Sequence, residues 1–382
     1  MIDTISLTIK QEDFRIMDHN KFSPSTENLF VPPYIKITAR APFKAVYNPT
    51  KADIDKYGYL PRLTVYKVVR EGGFPIFLKV EFSIPKLLYS NNFDEVEESD
   101  FGEICWKLKQ ALYNMKVQVN DIKILSNGDV STVHYSKNII LTDYSTPYSI
   151  LKEVSKANIN KLLDVNQTDF RNGGHAFKYH SNDFEVIFYD KLSDLKQAKK
   201  SEKRTIEKDN YIQLGLFDKL KTKEAFEVLR IEVRLGSRRK IKQRLNKYSI
   251  EGKELIFNDL FSKQISQALL VSTVKEIEAA RPKILKTDAT SNEDLLDQLQ
   301  LNNPQISYRK LLTYTGLKNS IDEMGTRKFR EATGKFGDTC WYRLQKEMKG
   351  LNINVTKDPF DTINKVLEEF DKIELVKYKN KL

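Results

Sequence analysis

The stretch Leu229-Arg230-Ile231-Glu232-Val233-Arg234-Leu235 constrains this chain more than any other. Its side chains alternate between apolar and charged. That is the two-residue period of a β-strand with one covered face and one face of different character. Arg230, Glu232 and Arg234 share the charged face. Two readings stand: a solvent-facing strand laced by cross-strand ion pairs, or a glutamate metal ligand flanked by phosphate-binding arginines.

Alternation recurs along the first two-thirds of the chain. Residues 2–9 and Ile35 to Ala41 read as strands. Arg62 to Val69 and Phe77 to Ile84 read as a hairpin turning at Glu71-Gly72-Gly73. Val117–Leu125 and Val130–Tyr135 read as a further pair about Ser126-Asn127-Gly128-Asp129. His175–Tyr179 and Phe184–Tyr189 follow the glycine turn Gly173-Gly174, and Phe226–Leu235 is the last strand. Helical spacing marks Phe101–Met115, Pro147–Leu163, a charged segment from Lys191 to about Lys203, Arg238–Lys247 and Leu260–Ala280. The predicted class is α+β: a largely antiparallel sheet with helices on one face, followed by a small helical C-terminal domain. Boundaries are set at 1–282 for the sheet domain, 283–305 for a polar linker and 306–382 for the helical domain.

The chain has 382 residues, with 63 Lys and Arg against 52 Asp and Glu, a net charge of +11. An excess of this sign favours an anionic partner, nucleic acid first. Two cysteines, Cys105 and Cys340, supply neither a disulfide framework nor a cysteine-rich zinc site, and they fit a reducing cytoplasmic compartment. The first residues alternate and lack the apolar run of a signal peptide. No stretch of about 20 apolar residues predicts a membrane span.

Four clusters carry candidate chemistry. Tyr189, at a strand end, has Lys191 two residues on and Asp194 beyond it. The Arg230–Glu232–Arg234 face is the second. His134, on Val130–Tyr135, is one of only four histidines; a strand histidine is either structural or a metal ligand. Arg234 to Lys247 is the fourth, with Arg238, Arg239, Lys240, Lys242 and Arg244 and no acidic residue. So one-sided a run on a helix suits phosphate contacts. A G-x-x-x-x-G-K-S/T loop is missing, which argues against NTP-driven chemistry. No H-E-x-x-H or nucleophile elbow occurs.

In this order the segments resemble the gene II replication initiators of filamentous phages, and more distantly the rolling-circle initiators of small Gram-positive plasmids. The resemblance spans nearly the whole chain. It runs from Met1-Ile2-Asp3 through Val80-Glu81-Phe82-Ser83-Ile84-Pro85-Lys86-Leu87-Leu88 and Tyr189-Asp190-Lys191 to Leu229–Leu235. Gly252-Lys253-Glu254-Leu255-Ile256-Phe257 and Ile306-Ser307-Tyr308 complete it.

The resemblance implies a site-specific endonuclease that nicks and rejoins one DNA strand at a replication origin. Tyr189 would be the nucleophile, giving a 5′-phosphotyrosyl link and a free 3′-hydroxyl, with Lys191 as its companion. Glu232 would hold Mg²⁺ or Mn²⁺. His134 stands where the family usually has an aspartate and would be the second ligand, with Asp129 and Asp143 as nearby substitutes. Arg230, Arg234, Arg238, Arg239, Lys240, Lys242 and Arg244 would contact DNA. Origin DNA, double- and single-stranded, would be the partner, together with a host helicase and polymerase. A relaxase or transposase of the same chemistry is the nearest alternative, and a non-catalytic DNA-binding regulator the more distant one. In the C-terminal domain, Ser307-Tyr308-Arg309-Lys310 and Arg327–Arg330 suit either a duplex reader or a packing module that braces the sheet.

Overall fold

The computed structural model describes residues 1–30, 41–71, 73–141, 145–159, 163–167, 176–194, 227–250, 252–355 and 358–374. Among these, eleven strands occur: β1 (Ile2–Lys10), β2 (Phe14–Ile16), β3 (Phe43–Tyr47), β4 (Arg62–Lys67), β5 (Ile76–Ser83), β6 (Val117–Val119), β7 (Asp129–Leu141), β8 (Asp164–Gln167), β9 (Ala176–Ser181), β10 (Phe184–Asp190) and β11 (Glu227–Leu235). Nine of them form one sheet in the order β3-β4-β5-β1-β7-β11-β10-β9-β8. Every pairing in it is antiparallel. The α+β class with a large antiparallel sheet is therefore correct. Residues 35–40, Gly173-Gly174, Asp143 and most of the charged segment after Asp194 lie outside the described residues.

The sheet's two faces differ as the alternation demands. Ile5 and Leu7 of β1, Val133 and Tyr135 of β7, Val186 and Phe188 of β10, and Ile231 and Val233 of β11 are fully buried. They belong to one core with the helices α3 (Phe101–Asn114), α5 (Pro147–Ser155), α6 (Arg238–Lys247) and α8 (Lys263–Ala279). Of the shorter helices, α1 (Lys51–Tyr57) rests Tyr57 against it, α2 (Ile84–Tyr89) adds Ile84, and α7 (Phe257–Leu260) adds Phe257 and Leu260. At about 25 cal/mol per Å² of apolar surface, each fully buried side chain contributes about 1.5–3 kcal/mol. The intervening sheet residues face the other way. Thr4, Thr132, His134, Glu185, Ile187, Arg234 and Lys178 on that face are only half-buried.

Three expectations need correction. Val117–Leu125 is not a strand paired with Val130–Tyr135. Only Val117–Val119 is extended, and it pairs with β2 in a separate two-stranded sheet. Asp121 then accepts a hydrogen bond from the Lys123 amide and starts the short helix α4 (Ile122–Ser126). Residues 283–305 are not a linker. Helix α9 (Asn292–Asn302) occupies them, and Ile284, Leu285, Leu295 and Leu299 sit in a second core with Leu311, Tyr314, Leu317, Ile321 and Trp341. Nor does the last helix join that unit. In α12 (Pro359–Glu369), Phe360, Ile363 and Leu367 pack into the first core beside α8.

The second core is built on α10 (Tyr308–Ala332) and α11 (Asp338–Lys349). Gly325 kinks α10 at φ 79°, ψ 158°, and a Cβ there would lie 3.2 Å from the Ser155 carbonyl oxygen. The kink presents Thr326 to the Lys156 carbonyl, Arg327 to the Leu163 carbonyl and Arg330 to Asn158. Arg327 and Arg330 therefore brace the helical unit against the end of α5. Ser307 caps α10 through the Lys310 amide, and Tyr308 and Arg309 lie exposed. No helix among the described residues is long and apolar enough to cross a membrane.

Candidate functional site

The register of three strands assembles the site. Tyr189 lies opposite Arg230, Ile187 opposite Glu232, and Glu185 opposite Arg234. On the other side of β11, Asn138, Ser136 and His134 lie opposite Arg230, Glu232 and Arg234. Directly opposed residues of an antiparallel pair point to the same side. All of these therefore share the face away from the helical core.

Glu232 is the centre. Its Oε1 accepts a hydrogen bond from the Tyr189 hydroxyl at 2.7 Å. Its Oε2 accepts two from Arg234, from Nε at 2.9 Å and from Nη2 at 2.7 Å. Arg230 Nε stands 3.2 Å from Oε1, close but poorly aligned for a hydrogen bond. Arg230 is otherwise committed: Nη2 donates to Asp3 at 2.6 Å and to Ser136 Oγ at 2.9 Å, and Nη1 donates to the Asn92 carbonyl. The chain of charges continues from Arg234 through Glu185 at 3.4 Å to Lys178 at 2.6 Å.

Burial separates the two arginines. The Arg230 side chain is 3 % exposed and that of Arg234 34 %. Burial alone would raise the Glu232 carboxyl, but Arg234 and then Arg230 hold it well below the ordinary carboxylate range. Burial first, and the Glu232 charge second, push the Tyr189 hydroxyl well above its usual value. Burial and then Arg234 lower His134, which is therefore a neutral imidazole at pH 7.

Lys191 is not placed to meet a phosphate. It is fully buried, its Nζ has no hydrogen-bond partner among the described residues, and it lies 5.7 Å from the centre of the Tyr189 ring. Burial, helped by Arg230, brings its pKa down to about 7. Between that value and its unfolded value near 10.5 the unfolded chain binds the extra proton. Stability therefore rises with pH through this window, by up to about 1.4 kcal/mol per pH unit from this group. Lys191→Met is expected to flatten that slope and to stabilise the protein at pH 7. Urea unfolding at pH 7 and pH 9 reads this, and parallel slopes in the two proteins would contradict a neutral Lys191.

A divalent ion held by Glu232 and His134 does not fit this arrangement. Both Glu232 oxygens are taken, and the neighbour of His134 in register is the Arg234 guanidinium. A cation there would have to displace another cation. Asp129 is spent on Arg238 at 2.8 Å. Among the described residues no three His, Cys, Asp or Glu side chains gather as a metal site requires.

The basic run divides. Helix α6 is capped by Ser237 through the Lys240 amide. Arg238, Arg239 and Lys242 are exposed, Arg239 most of all, and Lys240 is half-buried. Arg244 turns inward: its guanidinium stacks on Phe184 at 3.7 Å and reaches Tyr248 at 3.2 Å. It is a packing residue, which leaves Arg238, Arg239, Lys242 and Lys247 as the exposed cations of the helix. If α6 contacts duplex DNA, Arg239→Ala with Lys242→Ala is expected to reduce the slope of log K against log salt by about 1.8. An unchanged slope in a filter-binding titration would remove the helix from the interface.

Asp3, Glu185 and Lys178 complete the cluster but were not legible as site residues. Each enters only through strand register, which local sequence does not state. The fold and site define an α+β protein with a tyrosine–glutamate–arginine cluster on the polar face of an antiparallel sheet. No model of a known family matches the chain, and no curated protein or solved structure matches it.

Proposed function

We propose that the protein nicks and rejoins one DNA strand through Tyr189, in the manner of a rolling-circle replication initiator. The observation that carries this reading is the 2.7 Å hydrogen bond from the Tyr189 hydroxyl to Glu232, between two arginines, on a polar sheet face. Attack by the tyrosine oxygen on a phosphodiester forms a P–O bond to Tyr189 and breaks the bond to the 3′-oxygen. The tyrosine proton goes to Glu232, and the departing 3′-oxygen takes a proton from water to become a hydroxyl. The phosphotyrosyl link keeps the bond energy, so the reverse attack rejoins the strand without ATP.

Glu232 is a poor base while Arg234 holds it. Arg234 is the half-exposed partner and an incoming phosphate competes for its guanidinium. Once Arg234 moves to the phosphate, Glu232 loses its largest acidifying neighbour and accepts the Tyr189 proton more readily. Arg230 stays fixed by Asp3, Ser136 and Asn92, and faces the developing charge. The test is supercoiled DNA carrying a candidate origin, incubated in Mg²⁺ or Mn²⁺ buffer and assayed for nicked circles and a DNA–protein adduct.

A second reading draws on the burial of Tyr189, 8 % exposed. A buried tyrosine bonded to a saturated carboxylate is also how a purely structural tyrosine sits. On that reading the protein binds DNA as a regulator, and no adduct forms under any condition.

A further inference from the structure

A second group of residues lies on the same polar face, toward the β3 edge of the sheet. Lys44, Tyr66, Phe77 and Lys10 are successive register partners across β3, β4, β5 and β1. Val65 and Leu78, the next residues along, are fully buried in the core, so Tyr66 and Phe77 point to the opposite side. Their rings are stacked, with centroids 5.4 Å apart and planes 29° from parallel. Both are half-buried, while Lys10 and Lys44 are exposed.

Polar residues connect this pair to the tyrosine cluster without a break. The row Thr64, Lys79, Thr8, Asp129 comes next, then Arg62, Glu81, Ser6, Thr132, then Ser83, Thr4, His134, Arg234. From Phe77 to the Arg234 row is six residues along β5, about 20 Å, and three strand spacings across, about 14 Å. The diagonal is roughly 25 Å.

We propose that Tyr66 and Phe77 form a stacking platform for the unpaired bases of a single polynucleotide strand, with Lys10 and Lys44 on its phosphates. The inference rests on the DNA reading above and adds where the unpaired segment lies. An aromatic face accepts any base but reaches only bases that are not already stacked in a duplex. Two exposed lysines flanking the rings, with no acidic residue in that row, supply the matching charge. The bland alternative is a cross-strand pair that only steadies β4 on β5. Such a pair tolerates leucine, whereas a base platform does not.

The experiment measures binding of an oligothymidylate by fluorescence anisotropy at low salt, with thermal unfolding as the check on folding. The variant Tyr66→Leu/Phe77→Leu is expected to bind about 10–100-fold more weakly. Tyr113→Leu, an exposed aromatic on α3 across the sheet, is expected to bind as the unaltered protein does, which separates the platform from a general loss of surface aromatic rings. In Tyr66→Trp the introduced indole is expected to be quenched by the oligonucleotide, a readout that survives if the double variant folds poorly. Unchanged affinity of the leucine variant, or an unquenched indole on saturation, overturns the platform while leaving DNA binding in place. Absence of any oligothymidylate binding by the unaltered protein overturns the platform and the DNA reading together.

Discussion

Tyr189→Phe is expected to lower nicking of supercoiled origin DNA by about 10⁴-fold or more and to abolish the DNA–protein adduct, with DNA affinity retained. The substitution removes one oxygen. It costs the hydrogen bond to Glu232, of order 1.5–3 kcal/mol for a bond to a charged group, and leaves the ring's packing untouched. Glu232 keeps Arg234 and Arg230, so no carboxylate is stranded. A folded, DNA-binding, inactive variant is therefore the expected product. If the phenylalanine variant nicks normally, Tyr189 leaves the mechanism, and the structure restricts its successors. Tyr135 donates to the Leu260 carbonyl, and Tyr179 meets the Phe177 ring at a tilt and the Phe184 ring edge-on. Both are buried on the helix-covered face, so neither can receive a phosphodiester without unfolding the core. Full activity in Tyr189→Phe would thus leave an attacking water, or Tyr66 on the polar face, as the nucleophile.

The alternation of Leu229–Leu235 is enough to state that Arg230, Glu232 and Arg234 share a face opposite a covered one. It also makes that strand central, since its apolar side needs a full layer of helices. What these charges do to one another is not written locally. Glu232 reads as a free ligand until β10 is laid beside it and Tyr189 and Arg234 fill its oxygens. Arg230 reads as a phosphate contact until β1 brings Asp3 under it. Lys191 reads as a companion of Tyr189, two residues on and free to meet a phosphate, yet tertiary packing closes over it. The same limit explains the supposed linker. Asn292–Asn302 is mostly polar, and its stripe of Leu295, Leu296 and Leu299 is short. In each case the missing information is a partner distant in sequence.

Arg230 and Arg234 carry the same charge on the same strand, and their removal is expected to separate fold from chemistry. Arg230→Met leaves the buried Glu232 and the half-buried Asp3 under-compensated and orphans the Asn92 carbonyl. Breaking a buried charge pair from one side costs about 3–5 kcal/mol. Urea unfolding should show that loss as a lower midpoint. Adding Asp3→Asn to Arg230→Met should restore part of it, because one stranded charge is then gone. Arg234→Met, at a side chain one-third exposed, should cost about 1 kcal/mol, since water can take over much of its role toward Glu232 and Glu185. Its damage is expected in activity, through the lost phosphate contact. Equal destabilisation by the two substitutions would mean that Arg234 is as fixed as Arg230. The exchange of Arg234 between Glu232 and a phosphate would then have no movable part, and Glu232 would stay too acidic to take the Tyr189 proton.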